Sequence, residues 1–291
     1  MTHPMWMLVM IAPTHTLDPA LLQRVATASG GGTPVWLSPG EAAEIPCPAH
    51  PDMQAVTAAV ANAPVDVAVL PATNRRKRLL IADMDSTIVT GETLDELAAF
   101  AGVGDQVAAI TRRSMNGELD FAAALRERVA LLEGLDLAAL DRTWQGVRLT
   151  PGARTLVQTL HANGATTALV SGGFTWFTSR VAALCGFDVH RANILLDDGH
   201  TLTGRVAEPI LDREAKLATM LELAAAAAIP AADCLAVGDG ANDLAMIRAA
   251  GLGVAFRAKP VVAAEADARV QVSDLRALLF LQGYSVAEFV D

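Results

Sequence analysis

Hydrophobic positions along this chain fall into short unbroken runs separated by longer segments of helical spacing, the pattern of an α/β fold built on a parallel sheet. The run beginning at Leu79, LLIADMDSTIVT, ends its apolar stretch abruptly at Asp83 and Asp85. That spacing predicts a buried strand delivering carboxylates to its carboxyl end, where open α/β sheets bind ligands. A second run, ATTALVSGG at 165–173, ends in Ser171, Gly172 and Gly173 before a helix predicted from Phe174. A third, DCLAVGDG at 233–240, ends in Asp239 and leads through Asn242 and Asp243 into another helix. Strands near 253–256 and 269–272 finish this core. Residues 193–205 read as a hairpin around Asp198 and Gly199, whose acids lie in a loop outside catalysis.

The segment 91–148 interrupts the core after its first strand and changes period. ETLDELAAFAGV, DQVAAITRRSM and FAAALRERVALLEGL carry apolar residues three and four apart, which predicts helices. Projected at about 100° per residue, Phe121, Leu125, Arg128 and Leu132 share one face of the third, with Arg126 opposite. An arginine within an apolar stripe needs an anion or a route to water, and the helix alone favours snorkelling. Residues 1–74 read as β-α-β-α-β, from MWMLVMIA, DPALLQRVATASG, TPVWL, DMQAVTAAVANA and VDVAVLP. DLRALLFLQGYSVAEF is expected to pack as a closing helix and tail. Asn74 opens the basic run NRRKR, which reads as a solvated linker.

The strand ends make a constellation once Lys216 joins them, about one turn into a helix that Asp212 is predicted to cap. A carboxylate attacks a phosphoryl group only if a cation neutralises the repulsion, and magnesium suits a site of two or three acids plus phosphate. Asp83 and Asp239 are the natural side-chain ligands, with Asp243 binding the ion directly or holding its waters. Asp85, displaced by two residues, is free to act as general acid. Lys216 sits where the helix dipole disfavours a cation, and a phosphate nearby reverses that sign. Ser171 with the amides of Gly172 and Gly173 is similar to a phosphate cradle.

The order DMDST, SGG, lysine, GDGAND resembles the haloacid dehalogenase superfamily, and the detail resembles its phosphoserine phosphatases, over residues from about 78 to 256. The resemblance implies a HAD-like Rossmannoid core (75–291) with an inserted helical cap at about 91–148, and a small N-terminal α/β domain (1–74), ACT-like in many members. It implies Asp83 as nucleophile, Asp85 as acid and then base and as metal ligand through its carbonyl, and Asp239 as ligand to Mg²⁺. Asp243 is implied behind these ligands, and Ser171, Lys216 and Asn242 around the phosphate. LRERV matches the segment whose second arginine, Arg128, meets the substrate carboxylate. Glu92 matches the partner of the amino group, and Met115 and Phe121 match positions that close the pocket. One acid and one arginine suit O-phospho-L-serine, and closing the cap over it would exclude water. Phosphoryl transfer to homoserine or another small alcohol, and amino-acid sensing by residues 1–74, are the alternative activities. No motif in 1–74 fixes a ligand, so a stabilising or homodimer-forming appendage fits equally.

Composition narrows the partners. A net charge of −10 opposes general nucleic-acid binding, and no apolar stretch approaches the roughly 18 residues of a membrane span. MTHP lacks the basic start of a secretory signal. Cys47, Cys185 and Cys234 are too scattered for a disulfide framework or zinc site and fit a reducing cytoplasm. The six histidines show no ligand spacing.

Overall fold

A computed structural model describes residues 5–115 and 118–291, the side chain of Met115 excepted. The first unit comprises β1 (Trp6–Ile11), α1 (Pro19–Ala28), β2 (Val35–Ser38), β3 (Ala42–Cys47), α2 (Met53–Val60) and β4 (Asp66–Pro71). Its antiparallel sheet has the order β2-β3-β1-β4, a split β-α-β arrangement of ferredoxin type. β3 corrects the β-α-β-α-β expectation. Glu44 and Pro46 interrupt its apolar run, so its period is hard to read in AAEIPC. Pro46 is tolerated because β2 pairs only with Ala42, Ala43 and Glu44, leaving the side without an N–H free of a partner strand.

The core consists of β5 (Leu79–Ala82), β6 (Thr166–Phe174), β7 (Val189–Asn193), β10 (Cys234–Gly238), β11 (Leu252–Phe256) and β12 (Ala268–Val270). They form one parallel sheet of order β12-β11-β10-β5-β6-β7. Strands buried on both faces explain the unbroken apolar runs. Leu80 and Ala82 pack with α7 (Ala153–Ala162) and α8 (Thr175–Cys185). Leu79 and Ile81 pack with α9 (Arg213–Ala226) and α10 (Leu244–Ala249) on the other face. From β5 the chain runs to β6 on one side and later to β10 on the other, so the switch point lies between β5 and β10. The segment 193–205 forms the expected hairpin, β8 (Leu195–Asp197) and β9 (Leu202–Val206).

Between β5 and α7 stand four helices, α3 (Thr93–Phe100), α4 (Gly104–Met115), α5 (Phe121–Ala130) and α6 (Ala138–Gly146). The chain leaves and re-enters the core side by side: Val89 bridges Leu149, and Thr90 N–H donates to the Arg148 carbonyl at 3.0 Å. The insert is also held to the β8–β9 hairpin, where Gly134 N–H donates to the Leu202 carbonyl at 2.9 Å and Leu137 N–H to the His200 carbonyl at 3.0 Å. Trp144 of α6 meets Trp176 of α8 edge to face, 6.4 Å between centroids. No helix among the described residues is long and apolar enough to cross a membrane.

The N-terminal sheet is covered on both faces. Leu8 and Met10 pack under α1 and α2, while Met7, Val9 and Ile11 join the core cluster beside α12 (Ala277–Leu281), which follows the short α11 (Pro260–Ala263). The basic run is a clamp here, which corrects the linker expectation. Arg75 pairs with Glu44 at 2.6 Å and donates to the carbonyls of Phe280 and Leu281 at the carboxyl end of α12. Arg76 pairs with Glu288 at 2.7 Å and lies over the Tyr284 ring. Asp66, buried at the start of β4, accepts from the backbone N–H groups of Gln271 (2.7 Å), Val272 (3.3 Å) and Ser273 (2.9 Å). Asp66→Ala is therefore expected to destabilise the chain by about 2–3 kcal/mol, because buried donors are left unpaired. A urea midpoint unchanged from wild type would contradict this.

Candidate active site

Asp83 follows β5 directly, and the chain then makes a wide turn over Met84–Ile88 in which Ser86 takes the left-handed conformation at φ 56°. The turn fixes two acids at one strand end. Asp83 is 6% exposed and accepts from its neighbour Met84 N–H at 2.7 Å. Asp85 is half-buried, accepts from Thr93 N–H at 2.8 Å at the start of α3, and accepts from the Ser171 hydroxyl at 3.2 Å. It thus touches both the core and the first helix of the insert.

Asp239 stands across the switch point at the end of β10, and Asp243 lies one turn further on. Carboxylate oxygens of Asp83, Asp239 and Asp243 all lie within 4.8 Å of one another. Lys216, 1% exposed in the first turn of α9, reaches between two of them, 2.7 Å from Asp83 Oδ1 and 2.6 Å from Asp243 Oδ1. Asp212 caps α9 through the N–H groups of Glu214 and Ala215, as expected. Burial works against the Lys216 ammonium, but Asp243 and Asp83 outweigh it and hold its pKa above the usual lysine value.

The acids outnumber this cation. Burial, then repulsion from Asp243, pushes Asp83 well above the ordinary carboxylate range, with Lys216 pulling the other way. Burial, then Asp243 and Glu92, raises Asp239 to about 6. Three hard oxygen donors converging with surplus negative charge fit a divalent cation. Asp85 is also raised to about 6, by burial first and Glu92 second, with hydrogen bonds from Thr93 and Ser171 opposing. A carboxyl in that range carries a proton often enough near neutrality to donate it.

Ser171, Gly172 and Gly173 sit in a bulge of β6, where the register with β7 shifts between Val170 and Phe174, and α8 begins at Thr175. The expected helix-start cradle is thus a bulged strand end, and its Gly173 amide already donates to Ser171 Oγ at 2.8 Å. Asn193, not singled out from the sequence, fixes the bulge: its amide donates to the carbonyls of Gly172 (2.9 Å) and Leu211 (3.2 Å) and accepts from Leu211 N–H. A buried polar residue closing a short strand was its only signal. A Cβ on Gly172 would stand 3.0 Å from Phe121 Cζ, so glycine permits α5 to approach the bulge.

One cavity of about 300 Å³ collects these groups. Asp83, Asp85, Ser171, Gly172, Gly173, Asp239 and Asn242 line it from the core, and Glu92, Phe121, Leu125 and Arg128 from the insert. Lys216 and Asp243 stand behind that lining, beneath Asp83. Of the predicted face, Phe121, Leu125 and Arg128 line the cavity, whereas Leu132 falls past the end of α5 in the buried core and Arg126 pairs with Glu208 outside at 2.7 Å. Arg128 donates to the Ala124 carbonyl at 3.2 Å, and burial lowers its pKa while Asp95 and Glu92 oppose that shift. Among the described residues it makes no carboxylate pair. Glu92 accepts from the Ser86 hydroxyl at 2.7 Å. Lys259, also unforeseen, lines the rim, and its N–H donates to the Asp239 carbonyl at 3.2 Å. The Met115 side chain lies outside the described residues.

Residues 77–251, more than half of the chain, match the family model described as haloacid dehalogenase-like hydrolase. The chain belongs to the haloacid dehalogenase-like hydrolases. Within that family it is 48% identical over 227 residues to the phosphoserine phosphatase of Streptomyces coelicolor, covering 77% of this chain and 55% of that protein. It is 46% identical over 202 residues to the phosphoserine phosphatase of Archaeoglobus fulgidus, covering 69% and 59%. The chain therefore spans less than two thirds of the length of either relative. The solved structure of a probable phosphoserine phosphatase from Vibrio cholerae superposes with a TM-score of 0.80 at 30% identity, covering 98% of this chain and 88% of that one. A hydrolase of this family uses a metal ion, and the cluster of Asp83, Asp239 and Asp243 fits one.

Proposed function

We propose that this hydrolase is a magnesium-dependent phosphoserine phosphatase converting O-phospho-L-serine to L-serine and phosphate in the cytoplasm, the last step of L-serine synthesis. The observation that supports this reading is a single cavity lined by the switch-point acids Asp83 and Asp239 at one end and by Glu92 and Arg128 at the other. The first pair suits a phosphoryl group, the second an amino group and a carboxylate. The relatives named as phosphoserine phosphatases point the same way.

In this reading Asp83 attacks phosphorus as the bond to the serine oxygen breaks, and Asp85 delivers its proton to that oxygen. Asp85 then takes a proton from the water that hydrolyses the aspartyl-phosphate, returning both acids to their starting states. When bound, Mg²⁺ supplies the charge neutralisation that lets a carboxylate approach a phosphoryl group, and Asp83, the Asp85 carbonyl and Asp239 would hold it with Asp243 behind them. Lys216 orients Asp83, and Ser171, Gly172, Gly173 and Asn242 receive the phosphoryl oxygens. Phe121 closes the cavity over the substrate. Residues 1–74 make a separate ACT-like domain, 75–291 the phosphatase core, and about 91–148 its cap.

Arg128 gives this proposal its sharpest specificity test. Arg128→Ala is expected to lower kcat/KM for phosphoserine by roughly 100-fold or more, since the substrate carboxylate loses a charge-assisted pair in a partly dry site. Turnover of an aryl phosphate, which has no carboxylate to lose, should fall less than about threefold on the same account. Equal losses on both substrates would assign Arg128 a structural role and remove the substrate assignment.

A further inference from the structure

A second cavity, of about 230 Å³, opens where the two domains meet, at the amino ends of β5, β10 and β11 and so at the edge of the sheet opposite the active site. Leu70, Pro71, Leu252 and Leu281 give it an apolar body. Lys77 brings the one amine to its wall, from a side chain left only 8% exposed.

The partners of Lys77 are unusual for a buried ammonium. Its Nζ donates to the carbonyls of Asn74 and Ala232, both at 2.7 Å, and among the described residues no carboxylate lies within ion-pair distance of it. Asp233, which follows the acceptor Ala232, is engaged by the Asn74 amide at 2.8 Å and by Arg78 at 3.9 Å. Asp267 accepts from Gly253 N–H at 2.8 Å. The other cation of the wall, Arg75, is already matched by Glu44. An ammonium has three donors and a full charge, and two neutral carbonyls satisfy only part of that demand. Burial accordingly pushes the Lys77 pKa down, although Asp233 and Asp267 oppose the shift.

We propose that this junction cavity binds a small molecule with a single carboxylate and an apolar body of a few carbons, the carboxylate pairing with Lys77 and the body lying against Leu70, Leu252 and Leu281. The site is separate from the phosphatase cavity: Lys77 precedes β5, whereas Asp83 follows it. A ligand there would touch the end of β4, the basic clamp and the start of β11 together, and would strengthen the seam between the domains.

Calorimetry on the full chain tests this with 4-methylpentanoate as probe and 4-methylpentanamide as its neutral, equally shaped control. The acid is expected to bind at one site per chain, roughly tenfold tighter than the amide, because only the acid offers a charged acceptor to Lys77. Lys77→Met should erase that preference. Leu70→Trp, which leaves Lys77 in place and fills the cavity, should abolish binding and serves if the first variant does not fold. Arg128→Ala should leave binding unchanged, which separates this site from a carboxylate subsite in the phosphatase cavity. Equal binding of acid and amide, no binding of the acid at 10-fold millimolar excess over the chain, or a preference that survives Lys77→Met or disappears in Arg128→Ala would overturn the proposal.

Discussion

Asp83→Asn is expected to abolish phosphatase turnover, by roughly 10⁴-fold or more, while leaving the fold intact. An asparagine fills the same space and still offers an oxygen to Lys216 and to the Met84 N–H, but it cannot form an acyl phosphate. The fold should tolerate the change because burial and Asp243 already oppose ionisation of Asp83, so the substitution removes a charge that the native site holds at a cost. Assay of purified variant, with unfolding midpoints beside it, separates the two effects. Turnover within tenfold of wild type would remove Asp83 as nucleophile, whatever the stability.

Lys216→Met is expected to lose both activity and stability. The ammonium is the shared partner of two buried carboxylates, and removing one member of such a set costs about 3–5 kcal/mol because uncompensated charge stays behind. The folded pKa of Lys216 is raised, so its contribution is fully present below the unfolded lysine pKa and is lost only as pH rises through the higher folded value. Neutral solution therefore shows the whole effect. A urea midpoint equal to wild type at neutral pH would show that the three charges do not act as a unit.

Much of this site was legible because parallel strands buried on both faces write themselves as apolar runs, and the residue after each run falls at the ligand-binding edge. Asp83, Ser171 and Asp239 were readable for that reason, and Arg128 because a charge stands out in an apolar helical stripe. What the sequence hid depends on distant partners. Asn193 looks like an ordinary start of a hairpin until the β6 bulge it holds is in view. The basic run at 74–78 looks solvated until α12 presents carbonyls to Arg75 from some two hundred residues away in the chain. β3 carries an acid and a proline, and the buried face of α6 consists of Ala139, Leu140 and Thr143, too weakly apolar to announce a helix. Lys259 offered only its place after a core strand.

The most direct test of the account is phosphate release from O-phospho-L-serine, beside O-phosphothreonine and an aryl phosphate, first with Mg²⁺ and then with chelator. Turnover is expected to require the metal and to favour phosphoserine in kcat/KM over both other substrates. Hydrolysis of the aryl phosphate alone, or phosphoserine turnover undiminished by chelator, would contradict it.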